Sequence, residues 1–177
     1  MNNIILIGFM GCGKTSVGIR LSYLLKRTMT DTDMAIERQS GMTVSEIFDR
    51  YGEEAFRNME TECLEKILQE PDNQIISVGG GLPMRSENRE LLKKLGKVIY
   101  LRVTAATVCE RLSEDRSRPL LQGDDPERKV RELLEKRSPI YESAADIVID
   151  ADGKDFDIIL DEIIEKTGEI KDESACH

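Results

Sequence analysis

The 177 residues suffice for one domain with its own core, and 40% hydrophobic with 33% charged residues is an ordinary globular profile. No apolar run approaches the ~20 residues of a membrane span, and a net charge of −9 argues against non-specific nucleic-acid binding. Cys12, Cys63, Cys109 and Cys176 form no C-x-x-C pair and the sole histidine is His177, so neither a zinc centre nor a Cys/His nucleophilic pair is expected and the thiols read as reduced and structural.

In chain order, Asn3–Ile7 reads as a short buried strand that runs into Gly8-Phe9-Met10-Gly11-Cys12-Gly13-Lys14-Thr15. This is G-x-x-x-x-G-K-T, the phosphate-binding P-loop, and a helix from about Lys14 to Lys26 follows it. Backbone N–H groups of such a loop curl around phosphates and the helix N-terminus adds its positive end. Lys14 reaches β- and γ-phosphates in this motif, and the Thr15 hydroxyl can ligate Mg²⁺. Cys12 lies inside the loop, so its oxidation is expected to inactivate the protein. Met1-Asn2-Asn3 lacks a basic side chain and cleavage nearby would destroy the loop; a cytoplasmic location is therefore expected.

A weak strand, Thr28–Thr30, leads to Asp31-Thr32-Asp33. Ligands of open parallel sheets bind beyond the carboxyl ends of strands. The two acids can divide metal holding and proton acceptance there; equally, Asp33 can cap a helix starting near Met34. Thr43 and Glu46 form a capping box for a short helix, and a longer helix after Gly52 carries Phe56, Met59, Cys63, Leu64 and Ile67 at helical spacing. Arg57 stands three residues before Glu60 on it, either as an exposed pair or as a guanidinium held rigid and aimed at an anion. The strand Gln74–Val78 ends in Gly79-Gly80-Gly81, which suits close approach of backbone N–H groups to a ligand.

Glu87–Leu95 reads as a helix and Lys97–Leu101 as a strand, and Thr104 caps a helix through Leu112. Ser113–Asp125 has the profile of a mobile surface loop, bracketed by Arg111, Arg116 and Arg118; Arg118-Pro119-Leu120-Leu121 suits a lid. Asp125 and Pro126 open a helix to about Ser143 that carries Arg137. Asp146–Ile149 is the last strand, Phe156–Lys166 the last helix, and Gly168–His177 a frayed end. Apolar runs alternating with helical patterns predict βα units and a parallel sheet.

Together Gly8–Thr15, Asp31-Thr32-Asp33, Glu54-Ala55-Phe56-Arg57-x-x-Glu60, Ser77-Val78-Gly79-Gly80-Gly81, Arg118-Pro119-Leu120-Leu121 and Arg137-x-x-x-Tyr141 resemble shikimate kinase, from Asn3 to about Lys166. That family transfers the γ-phosphoryl of ATP to the 3-hydroxyl of shikimate, on the route to chorismate and aromatic amino acids. The resemblance implies a P-loop kinase fold of α/β class, a three-layer αβα sandwich with a five-stranded parallel sheet. It implies a single domain over 1–177, with a substrate-binding helical segment at about 33–62, a lid at about 113–125 and a tail at about 168–177.

The site residues implied are Asp33 as base with Lys14 and Arg118 beside it. Gly11, Cys12, Gly13, Lys14, Thr15, Ser16, Arg111, Arg118 and Asp152 of the Ala151–Asp155 loop would bind ATP. Asp33, Arg57, Gly79, Gly80, Gly81 and Arg137 would bind shikimate, with Phe48 and Phe56 walling its ring; Thr15 and Asp31 would serve Mg²⁺. The expected partners are ATP and shikimate, with no nucleic acid, no membrane and a monomeric chain. The lid sequence Ser113–Ser117 is more charged than the resemblance leads one to expect, which leaves Arg116 without a role. The rival readings are a gluconate or nucleoside monophosphate kinase, and a nucleotide-dependent switch. The chain has no N-K-x-D guanine signature, which disfavours the switch.

Overall fold

The computed structural model describes residues 2–113 and 124–169. Arg116, Arg118, Cys176 and His177, and with them most of the expected lid and tail, lie outside the described residues. The strands are β1 (Asn3–Ile7), β2 (Met29–Asp31), β3 (Ile75–Ser77), β4 (Gly96–Arg102) and β5 (Ile147–Asp150). They form one five-stranded sheet in the order β2-β3-β1-β4-β5, with every neighbouring pair parallel. All of β1 is buried, as a central strand covered on both faces must be.

The helices among the described residues are α1 (Lys14–Leu25), α2 (Thr32–Ser40), α3 (Val44–Ile67), α4 (Ser86–Leu95), α5 (Ala105–Leu112), α6 (Pro126–Ala144) and α7 (Phe156–Thr167). α1 and α7 pack together on one face of the sheet, whereas α4 and α6 cover β4 from the other and α3 packs on α4. This is the expected three-layer arrangement. β1 connects leftward to β2, and the chain later returns to β4 on its other side, so the strand order reverses beside the loop that follows β1. Such a reversal opens a crevice at the carboxyl ends of the strands.

Two local features differ from the sequence reading, and the break between helices at Gly52 agrees with it. α2 starts at Thr32, and its N-cap is Asp31, whose carboxylate accepts from the Met34 N–H at 3.1 Å; Asp33 sits in the first turn and caps nothing. The capping reading of Asp33 is therefore corrected by two residues. The helices before and after Gly52 run end to end as α3, broken at Gly52 (φ 83°, ψ 172°), a conformation that glycine tolerates. A 3₁₀ turn at Leu82–Met84, which the sequence did not announce, follows the triple glycine.

Candidate active site

The loop between β1 and α1 is built around left-handed backbone at Gly11 (φ 75°) and Gly13 (φ 94°). Gly13 is the N-cap of α1 and no side chain caps that helix. Its first-turn N–H groups thus lack a side-chain acceptor. Lys14 folds back over the loop, its Nζ donating to Gly8 O at 2.9 Å and Phe9 O at 3.1 Å and lying 3.6 Å from Cys12 Sγ. Cys12 is buried, so a thiol reagent can reach it only when the loop opens. Thr15 and Ser16 are exposed at the mouth.

The Thr15 hydroxyl donates to Asp31 Oδ2 at 3.2 Å. A hydroxyl and a carboxylate, both hard oxygen donors, thus meet beside the loop, which is the ligand chemistry Mg²⁺ takes when phosphates and waters complete its shell. Arg111 Nη1 donates to Gly11 O at 3.0 Å and braces the loop from α5. The Asp152 carboxylate accepts from the Thr104 N–H at 3.0 and 3.1 Å and so holds the start of α5. Phe156, which sequence reasoning treated only as the start of a helix, faces Gly13 and lies under Arg20, whose Cζ is 4.6 Å from the ring centroid.

On the other side of the crevice α3 presents Arg57. Its Nη1 donates to Glu60 Oε2 at 2.7 Å and its Nη2 to Glu53 Oε1 at 3.2 Å. The Arg57 side chain is 14% exposed and that of Glu60 0%, so this is a buried pair rather than the exposed one the spacing also allowed. Phe48 and Phe56 pack with ring centroids 5.0 Å apart, and Arg57 Cζ lies 6.0 and 5.6 Å from them. Arg137 Cζ lies 5.7 Å from the Phe9 ring.

The triple glycine closes the gap between these groups. Its Gly79 N–H donates to Thr32 Oγ1 at 3.0 Å, which ties it to the start of α2. A Cβ on Gly79 would lie 2.6 Å from Asp33 Oδ1 and 3.0 Å from Glu60 Oε1, and one on Gly81 would run into the Arg57 guanidinium. Glycine is required at both places by close approach, not by backbone angle. Asp33, Glu60, Arg57, Gly79 and Gly81 are therefore in one cluster at the carboxyl ends of β2 and β3.

Burial pushes the Glu60 carboxyl up to about 7 and Asp33 pushes the same way, while Arg57 and Arg137 pull against them. Burial also works against the Arg57 charge, but Glu60 and Glu53 outweigh it and hold that guanidinium above its ordinary value. The native chain therefore holds a proton at Glu60 more tightly than the unfolded chain does. Stability should fall as pH rises from the ordinary 4.5 to about 7, and be free of this loss below that window. Urea unfolding across this range should show wild type losing stability relative to Glu60→Gln as pH rises. A difference independent of pH would show that Glu60 does not titrate there.

A separate cleft of about 390 Å³, lined by Asn2, Asn3, Lys93, Gly96, Lys97 and Glu169, opens at the amino-terminal ends of β1 and β4. It is at the wrong end of the sheet for ligands of this topology.

The chain matches the shikimate kinase family model over residues 10–167. It belongs to the shikimate kinase family. A shikimate kinase of Thermodesulfovibrio yellowstonii is 43% identical over 166 residues, 94% of this chain and 95% of that one. One from Caldanaerobacter subterraneus is 40% identical over 164 residues, 93% and 95% of the two chains. The solved shikimate kinase of Acinetobacter baumannii, in complex with shikimate, superposes with a TM-score of 0.89 at 37% identity, covering 94% of this chain and 92% of its own. A gluconokinase of Sinorhizobium meliloti, at 15% identity and TM-score 0.58, shares the fold alone. Shikimate kinases are ATP-dependent phosphotransferases, and the P-loop kinase fold that the resemblance implied is the one present. No helix among the described residues is long and apolar enough to cross a membrane.

Proposed function

We propose that this chain transfers the γ-phosphoryl group of ATP to the 3-hydroxyl of shikimate, with the P-loop holding the nucleotide and the Asp33–Arg57–glycine cluster holding the acceptor. The observation that carries this is that the triple glycine touches both halves: Gly79 and Gly81 lie against Asp33, Glu60 and Arg57, and Gly80 lies against Gly8 and Met10 of the P-loop. Phosphoryl transfer asks the protein mainly for alignment and for neutralisation of charge.

Lys14 leaves the carbonyls of Gly8 and Phe9 and turns to the phosphates, while the first-turn N–H groups of α1 receive them. Arg57, fixed on two sides by Glu60 and Glu53, offers its fork to the shikimate carboxylate, and Arg137 meets it from α6. Phe48 and Phe56 form an apolar wall for the ring. With the carboxylate anchored, the reacting hydroxyl falls to Asp33, which takes its proton as the new P–O bond forms. Thr15 and Asp31 would hold Mg²⁺, which when bound neutralises phosphate charge. The loop from Ala151 to Asp155, Arg111 and Phe156 flank the nucleotide side of the P-loop.

ADP formation measured separately with shikimate, gluconate and nucleoside monophosphates tests this. Turnover with shikimate alone is expected; preference for either other acceptor would overturn the reading. Arg57→Ala should raise the KM for shikimate about a hundredfold, and should penalise an analogue lacking the carboxylate far less. The variant leaves Glu60 buried without its partner and so held protonated, with some loss of stability. The ratio between the two substrates does not depend on how much protein is folded, so equal losses on both would remove Arg57 from carboxylate binding.

A further inference from the structure

Tyr141 on α6 is fully buried, and its hydroxyl donates to the carbonyl oxygen of Gly80, in the middle of the triple glycine. One turn earlier on the same helix stands Arg137, whose Cζ lies 5.7 Å from the Phe9 ring. The Tyr141 ring stacks on Tyr100 of β4, with centroids 5.1 Å apart and planes inclined by 34°, so the phenol has one available position. Gly80 also lies against the P-loop: a Cβ there would be in ordinary contact with Gly8 O and Met10 N, at 3.4 Å each, and with the Tyr141 hydroxyl at 3.7 Å.

Carbonyl and N–H of one trans peptide point in opposite directions. Anchoring the Gly80 carbonyl on Tyr141 therefore turns the Gly81 N–H away from α6, and Gly81 lies against the Arg57 guanidinium. Burial raises the phenol well above its ordinary range, so it stays protonated and able to donate at any working pH. A hydroxyl has one hydrogen to give and lone pairs to receive. Tyr141 spends its hydrogen on Gly80.

We infer that Tyr141 is a positioning residue for the acceptor substrate: its buried hydroxyl ties the Gly80–Gly81 peptide to α6, the helix that also carries Arg137, so that groups from two elements meet the substrate as one unit. The inference rests on the proposed role of Arg137 and the glycine loop in holding shikimate. Tyr141 touches no reacting atom; it acts through the groups it holds.

Tyr141→Phe keeps the ring and its stack and removes only the hydroxyl. The KM for shikimate should rise about tenfold, while the KM for ATP changes by less than about twofold. KM does not depend on the folded fraction, so some loss of stability leaves the readout intact. Tyr100→Phe removes the other hydroxyl of the same stack and should leave the KM for shikimate as it is; an equal rise would overturn the inference by showing that any loss in this stack has the same effect. Combined with Arg137→Ala, Tyr141→Phe should add less than its separate effect, because part of what the tie does is to set the glycine peptide relative to the Arg137 side chain. Full multiplication of the two losses would also overturn it. If Arg137→Ala raises the KM for shikimate and Tyr141→Phe does not, this inference falls and the site stands. If Arg137→Ala has no effect either, the site reading falls and takes the inference with it.

Discussion

Lys14→Ala should lower kcat roughly a thousandfold and leave a folded protein. The size follows from the role proposed for the ammonium group with ATP bound: it would be a single compact positive charge, inside a water-poor loop, next to the phosphates whose charge rearranges in the transition state. The retained fold follows from what it does without ATP. Its partners are the carbonyls of Gly8 and Phe9, in a loop whose shape is already set by Gly11 and Gly13 and braced by Arg111. Steady-state kinetics alongside thermal melting check both halves. A kcat near that of wild type would show that the phosphates are served by other groups, and a collapsed melting transition would assign Lys14 a structural part.

Asp33→Asn is expected to reduce kcat by about a thousandfold with a much smaller change in the KM for shikimate. The amide keeps the size of the side chain and fits the narrow space against Gly79, where a Cβ would come within 2.6 Å of Asp33 Oδ1. What is lost is the ability to accept a proton. A binder that merely fills this space would show the opposite pattern, a raised KM with kcat preserved. The comparison with Asp31 is instructive. Asp31 caps α2 and accepts from Thr15, so its replacement would disturb the fold and the phosphate side together. Asp33 is not the cap of α2, so its replacement leaves that cap in place.

The parts of this site that could be read from the sequence are those that demand unusual backbone or unusual composition. Gly8–Thr15 is a spacing that only a phosphate cradle explains well, and three glycines after a buried strand mark close approach. The alternation of apolar runs with helical periods gave the parallel sheet, because strands buried on both faces are continuous apolar runs. Arg57 and Glu60 were visible as a spaced pair, but their burial was not: whether an i,i+3 pair faces water or the crevice depends on how α3 packs, which no local pattern encodes. The start of α2 was misplaced because two acids stand in alternate positions and either can cap; the winner is decided by Thr15, which takes the other oxygen of Asp31. Tyr141 to Gly80 and Thr32 to Gly79 are contacts between residues 61 and 47 positions apart, beyond any reach of spacing arguments.

The missing side-chain cap on α1 has a thermodynamic corollary. A serine, threonine or aspartate in place of the Gly13 cap would add about a few tenths of a kcal/mol. On the proposed reading a phosphate of the nucleotide would take that place at the helix end. The nucleotide would then complete a secondary-structure element that the polypeptide does not finish by itself, and its binding is expected to stabilise α1.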